Sequence, residues 1–282
     1  MITLKNNSRV WFITGASSGF GKALANAVLE RGEIVVATAR NRDCLSPLIK
    51  NNERSMALSL EVSDIEQCNN AVDKTISTFG HIDILINNAG HGMLGAIEEV
   101  SDAEVKATFD TNVFGLLNVT KAVLPNMRQR RSGYIVNIGS VAGLVARAGL
   151  GIYCATKFAI EGISEALHNE VISLGIKVMV VEPGPFRTDF LGRSLRQSVS
   201  IITDYDTTAG EWRRNQLKLH GLQEGDPDKA VRVIMNAINS PAPPFHLVLG
   251  TQAMGRASKK CLSLLLDIEN WREVSATTNF DQ

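Results

Sequence analysis

The stretch Val10-Trp11-Phe12-Ile13-Thr14-Gly15-Ala16-Ser17-Ser18-Gly19-Phe20-Gly21 decides the reading of this chain. Val10–Ile13 is a run of four apolar residues, as expected of a strand covered on both faces. It leads into three glycines spaced G-x-x-x-G-x-G. A helical pattern, Lys22–Arg31, follows and stops at Gly32, a residue suited to the position just past a helix end. Glycines let the backbone turn tightly and approach a pyrophosphate. The free N–H groups and positive dipole end of the following helix favour the same anion. Glycine-rich turns also occur for purely structural reasons. The strand before this loop and the helix after it favour a dinucleotide cradle that includes Ser17, Ser18 and Phe20.

Outward from that loop the pattern repeats. Apolar runs recur at Ile34–Thr38, Met56–Leu60, Ile82–Ile86, Tyr134–Ile138 and Ile176–Val181, with a shorter one at Phe245–Leu249. Helical segments separate them. One spans Asp64–Phe79, with Ser63 as the expected N-cap and Glu66 completing a capping box. Ser101 and Glu104 repeat that signature before a long helix towards Arg130. Ile152–Leu174 is closed by Gly175, Asp226-Pro227 opens a helix to Asn239, and Thr251–Trp271 reads as a helix with a leucine-rich face. Alternation of strand and helix predicts an α/β fold, a doubly wound parallel sheet of about seven strands flanked by helices. The 282 residues amount to nearly two domains at about 150 each. The uninterrupted alternation reads instead as one Rossmann-type domain, 1–282, with 185–225 inserted as a lid beside the carboxyl edge of the sheet, where ligands bind.

Composition narrows the function. Lys plus Arg and Asp plus Glu both number 29, which argues against nucleic acid or an anionic membrane as partner. No apolar stretch approaches 18 residues, so no transmembrane helix is expected. Lys5 and Arg9 precede only Val10 to Ile13, too short for a signal-peptide apolar region. Cys44, Cys68, Cys154 and Cys261 form no C-x-x-C pair, and the five histidines form no H-x-x-x-H pattern. No metal site is expected, and reduced thiols fit a cytoplasmic location.

The second strand ends in Val36-Ala37-Thr38-Ala39-Arg40, without the carboxylate that would meet the ribose hydroxyls of NAD. Arg40 can instead make bidentate bonds to a 2′-phosphate, each worth roughly 1.5–3 kcal/mol, or be a solvated surface residue. Tyr153 and Lys157, four apart, share one helix face. A nearby cation favours the phenolate and lowers the tyrosine pKa. A lone Y-x-x-x-K is common on ordinary helices. Here it belongs to an ordered series: the glycine loop, Asn87-Asn88-Ala89-Gly90, Asn112, Ser140, Tyr153, Lys157, then Pro183-Gly184.

On these motifs, from residue 9 to about 190, the chain resembles the classical short-chain dehydrogenases/reductases, of the NADP(H)-preferring type. The resemblance implies hydride transfer between a nicotinamide cofactor and a small-molecule carbonyl or alcohol. NADP(H) would be preferred through Arg40, with NAD(H) the alternative. Tyr153 would exchange the proton with the substrate oxygen, and Ser140 would hydrogen-bond that oxygen. Lys157 would hold the nicotinamide ribose and depress the Tyr153 pKa. Asn112 would hold a water leading to Lys157. Asn88, Ala89 and Gly90 would line the adenosine side, and Pro183, Gly184, Phe186 and Thr188 the nicotinamide end. In relatives the two long helices pair across a two-fold axis, which implies a homodimer or homotetramer. One departure is visible. Leu60-Glu61-Val62 stands where the family often has Asp for the adenine amino group, leaving Val62 to pack on the ring and the Glu61 contact open.

The substrate region is less specific. Arg187, Arg193, Arg196, Arg213 and Arg214 alternate with acidic residues, as on a mobile lid with a mixed solvated surface, although they also suit an anionic substrate. Phe186, Phe190, Tyr205 and Trp212 could wall an apolar pocket or form the core of the lid. Cys154 reads as a small apolar helix residue and His91 as a loop histidine near the site. A non-catalytic NADP(H)-binding redox sensor is the competing function, and intact Ser140, Tyr153 and Lys157 argue against it. A lyase or epimerase retaining the cofactor has no specific sequence support.

Overall fold

The computed structural model describes residues 8–49 and 52–280, so Lys5 lies outside the described residues. The chain begins β1 (Val10–Ile13), α1 (Gly19–Glu30), β2 (Ile34–Ala39), a short α2 (Ser46–Ile49), β3 (Ser55–Ser59), α3 (Ile65–Phe79) and β4 (Ile84–Asn87). It continues β5 (Gly92–Leu94), α4 (Asp102–Phe109), α5 (Gly115–Arg130), β6 (Gly133–Ile138), α6 (Gly151–Val171) and β7 (Ile176–Pro183). The last part holds β8 (Leu195–Gln197), α7 (Glu211–Lys218), α8 (Pro227–Ile238), β9 (His246–Leu249) and α9 (Thr251–Ala276). Seven strands form one parallel sheet in the order β3-β2-β1-β4-β6-β7-β9. This is the doubly wound Rossmann-type sheet the alternating pattern predicts.

Both faces are buried, and that explains the unbroken apolar runs. Trp11 and Ile13 of β1 pack under α1 and α8 through Leu24, Val28, Val231 and Ile234. Val10 and Phe12 face the other way, under α3, α5 and α6 through Val72, Val119, Val123 and Leu167. The strand order reverses between β1 and β4. Their carboxyl ends, the glycine loop and Asn87–Gly90, therefore lie side by side and open a crevice there.

Two local expectations differ from the structure. Asp64, not Ser63, caps α3, its carboxylate accepting from the Gln67 N–H at 3.0 Å. A carboxylate is the stronger acceptor beside the helix dipole. The helix expected from Ser101 to Arg130 is interrupted by a π-helical turn, Asp110–Phe114, which carries Asn112. An extra residue per turn leaves no trace in a 3.6-residue pattern. Residues 185–225 are tied to the body. β8 pairs with β5, and Glu99 is buried, accepting from Ile202 N–H at 2.9 Å and pairing with buried Arg213. The leucines of α9 are exposed beyond Ala257. Among the described residues, no helix is long and apolar enough to cross a membrane.

Candidate active site

The glycine loop is held open from behind. Thr14 Oγ accepts from the N–H groups of Asn88 and Ala89 at 2.9 and 3.0 Å. Asn88 Nδ2 donates to the carbonyls of Thr14 and Gly15 at 2.9 and 3.0 Å. Gly15 sits at φ 64°, which a side chain disfavours. A Cβ at Gly21 would lie 2.5 Å from both the Gly15 carbonyl oxygen and Asn88 Nδ2. Ser18 begins α1 without using its side chain as a cap, and the first turn of α1 holds no acidic residue. The helix N-terminus is thus left to an external anion. This cradle fits a dinucleotide pyrophosphate.

One cavity of about 630 Å³ runs from this loop across the sheet edge. Every catalytic and cofactor candidate of the sequence analysis lines it except Gly21 and Asn112. Of the substrate-region candidates Phe186, Phe190, Trp212, Arg193 and Arg196 line it, and Tyr205, Arg187, Arg213 and Arg214 do not. Arg40, exposed at the end of β2, and Glu61 and Val62 lie at one end. The Glu61 carboxylate is turned to Ser63, accepting from its N–H and hydroxyl at 3.3 and 3.1 Å. Pro183, Gly184 and Thr188 lie across the loop, where the Phe186 ring meets Phe20 edge-on at 5.3 Å.

Ser140 follows β6 and caps the turn Val141–Gly143, with Oγ accepting from Ala142 N–H at 3.1 Å. Tyr153 and Lys157 project from the first turns of α6, both buried. Lys157 Nζ donates to the Ile138 carbonyl at 2.8 Å and lies 5.8 Å from the Tyr153 ring centre. Burial pushes the Tyr153 phenol above its ordinary value and outweighs an opposing hydrogen bond from Ser140. Lys157, expected to depress that phenol, is not among the groups that move it. In the structure desolvation dominates instead, and it pushes Lys157 itself down to about 8 despite the carboxylate of Glu161.

Asn112, almost fully buried, clamps the backbone of His91. Its Oδ1 accepts from His91 N–H, while Nδ2 donates to the His91 carbonyl, both at 2.9 Å, and to Thr156 Oγ at 3.1 Å. Both amide protons and one lone pair are therefore engaged by protein. His91 is buried in the cavity wall, and desolvation lowers its pKa. The Cys154 thiol is pushed up by burial, against a nucleophilic role.

A cluster the sequence reading missed lies behind Ser140. Glu161, one turn beyond Lys157, approaches Glu182 at the end of β7 and His246 at the start of β9, their ligand atoms all within 4.8 Å. His246 Nδ1 lies 2.6 Å from Glu182 Oε1, while both oxygens of Glu161 are buried without a hydrogen-bond partner. Burial raises Glu161 to about 8, helped by the Glu182 charge, and burial raises Glu182 to about 7. A Glu four residues after Lys157 was a readable signal, but Glu182 reaches it only through the packing of α6 on β7, and His246 through the parallel pairing of β7 and β9.

The sign of the stability effect follows. Between the unfolded value of about 4.5 and the folded values, the native state binds more protons than the unfolded state. The contribution of these two carboxyls to stability is therefore fully present below about pH 4.5 and is lost as pH rises towards 8. Glu161→Gln removes one charge of the pair and is expected to raise Tm at pH 8.5 by about 3 °C or more relative to its effect at pH 5.5. Thermal unfolding at the two pH values checks this; equal shifts would contradict it.

Comparison with known proteins gives the family and the fold. The sequence profile of the short chain dehydrogenase family matches residues 9–198. The chain is 37% identical over 270 residues to oxidoreductase BOA17 of Botryotinia fuckeliana, covering 95% of this chain and 98% of that protein. It is 35% identical over 249 residues to retinol dehydrogenase 8 of Homo sapiens, covering 84% and 80%. A short-chain dehydrogenase from Streptomyces avermitilis has a similar structure, with TM-score 0.91, 38% identity and coverage of 98% of this chain and 100% of that one. The chain belongs to the short-chain dehydrogenase family of nicotinamide-dependent oxidoreductases.

Proposed function

We propose that the protein is an NADP(H)-dependent carbonyl reductase or alcohol dehydrogenase in which Tyr153 is the proton donor and acceptor. The observation that carries this reading is a single cavity lined at one end by the glycine cradle and Arg40 and at the other by Ser140, Tyr153 and Lys157. The bound nucleotide supplies or takes the hydride. Ser140 hydrogen-bonds the substrate oxygen, and Tyr153 delivers its proton to that oxygen as charge develops there. A phenol held protonated by burial suits that task. Lys157, anchored on the Ile138 carbonyl, holds its ammonium beside the Tyr153 ring, where it would hold the nicotinamide ribose. A structure of the protein ElxO with NADP bound, 25% identical and at TM-score 0.73, supports the cofactor class.

The preference for NADP(H) rests on Arg40. Its guanidinium is exposed at the cavity rim and in no ion pair among the described residues. Arg40→Ala is expected to raise the NADPH dissociation constant about tenfold or more and to leave the NADH value within about twofold. Equal losses for both nucleotides would remove the preference. NADPH oxidation followed across a panel of aldehydes and ketones tests the activity itself. Tight NADPH binding without turnover of any of them would favour the sensor.

A further inference from the structure

We infer that the substrate carries an oxoanion, a carboxylate or a phosphate ester, and that Arg147 and Arg256 receive it at the far wall of the cavity. This rests on the carbonyl reductase reading and names the substrate class for that site. Arg256 Nη2, on α9, donates to the Val145 carbonyl at 3.1 Å. Arg147, two residues further along that loop, lies over the Trp212 ring of α7 with its guanidinium carbon 4.4 Å from the ring centre. All three side chains line the cavity that holds Tyr153, and none of them is fully exposed.

The two guanidiniums lack what charged groups in such a place normally have. Among the described residues neither is in an ion pair, and the Arg147 guanidinium makes no hydrogen bond. The lid arginines differ: Arg193 pairs with Asp189, Arg213 with Glu99 and Arg214 with Asp206, while cavity-lining Arg196 is exposed. A third donor, the Trp212 indole N–H, is buried without an acceptor. Two like charges in one partly buried wall disfavour each other; burial lowers the Arg256 pKa, and the Arg147 charge adds to it. An oxoanion between them would relieve that repulsion and supply the missing acceptors. Planar guanidiniums match the geometry of either anion. Cys154, next in sequence to Tyr153, lines the same cavity as the two arginines, so the site for the anion and the reacting hydroxyl share one chamber.

The test is calorimetric titration of the full chain, saturated with NADP⁺, with benzoylpropionate, its methyl ester and phenacyl phosphate. The parent is expected to bind the carboxylate or the phosphate at least tenfold tighter than the ester, and the tighter of the two anions identifies the substrate's group. Arg147→Gln and Arg256→Gln are each expected to bring that ratio at least fivefold closer to one. A merely structural role would weaken all three ligands alike and leave the ratio unchanged. Equal affinity for ester and anions in the parent, an unchanged ratio in both variants, or binding of none of the three overturns the inference. Anion-selective binding without NADPH-dependent turnover would overturn the reductase reading and uphold the oxoanion site.

Discussion

Tyr153→Phe is expected to lower kcat for carbonyl reduction by about 10² to 10⁴-fold, the range for loss of a positioned general acid. Nucleotide affinity should change little, because the ring would keep its packing at 5.4 Å from Phe190 and only the hydroxyl is removed. The pH profile of the parent carries a second, linked expectation. Burial holds the phenol protonated well past neutrality, so Tyr153 does not set the upper limb. Lys157, pushed down to about 8, loses its charge near that pH, and the reductase rate should fall as pH rises through it. Steady-state kinetics from pH 6 to 10 with parent and variant check both statements. Unchanged kcat in Tyr153→Phe would remove the proton-donor assignment; a flat parent profile would remove the one for Lys157.

Gly21→Ala is expected to raise the NADPH dissociation constant about 10²-fold, the equivalent of about 2.8 kcal/mol. A Cβ there would sit 2.5 Å from a backbone oxygen and from an amide that holds the loop, so relief requires the loop itself to move. Overpacking of this kind also costs about 1–3 kcal/mol of stability. Gly162→Ala is the matched control. It is exposed on α6 with open space where its Cβ would stand, and is expected to stabilise by up to about 1 kcal/mol. Fluorescence titration and thermal unfolding of the two variants make the comparison. Wild-type nucleotide affinity in Gly21→Ala would show that the loop does not need its observed shape to bind.

The parts of the site written in local sequence were legible before the fold. β1 and the glycine loop are contiguous, so a strand, three glycines and a helix state the cradle outright. Tyr153 and Lys157 share one helix face by spacing, and Ser140 follows a strand end. The expectations that failed are those in which a local preference had a competitor. Asp64 displaced Ser63 as the cap because two adjacent residues could both serve. The π-turn at Asn112 sits inside a sequence that remains helical on both sides.

The sequence by itself determined the doubly wound sheet, the glycine loop and the side chains proposed to react. Periodicity, glycine placement and four-residue spacing are properties of neighbours along the chain. The tertiary structure alone decided the electrostatics. Burial pushes the Tyr153 phenol up and Lys157 down, and burial is a property of the packed fold. Glu161, Glu182 and His246 meet because α6 packs on β7 and β7 pairs with β9. Arg147, Trp212 and Arg256 come from a loop, a lid helix and the last helix, more than 100 residues apart end to end. Charge separation in space depends on which elements pack together, and no local pattern encodes it.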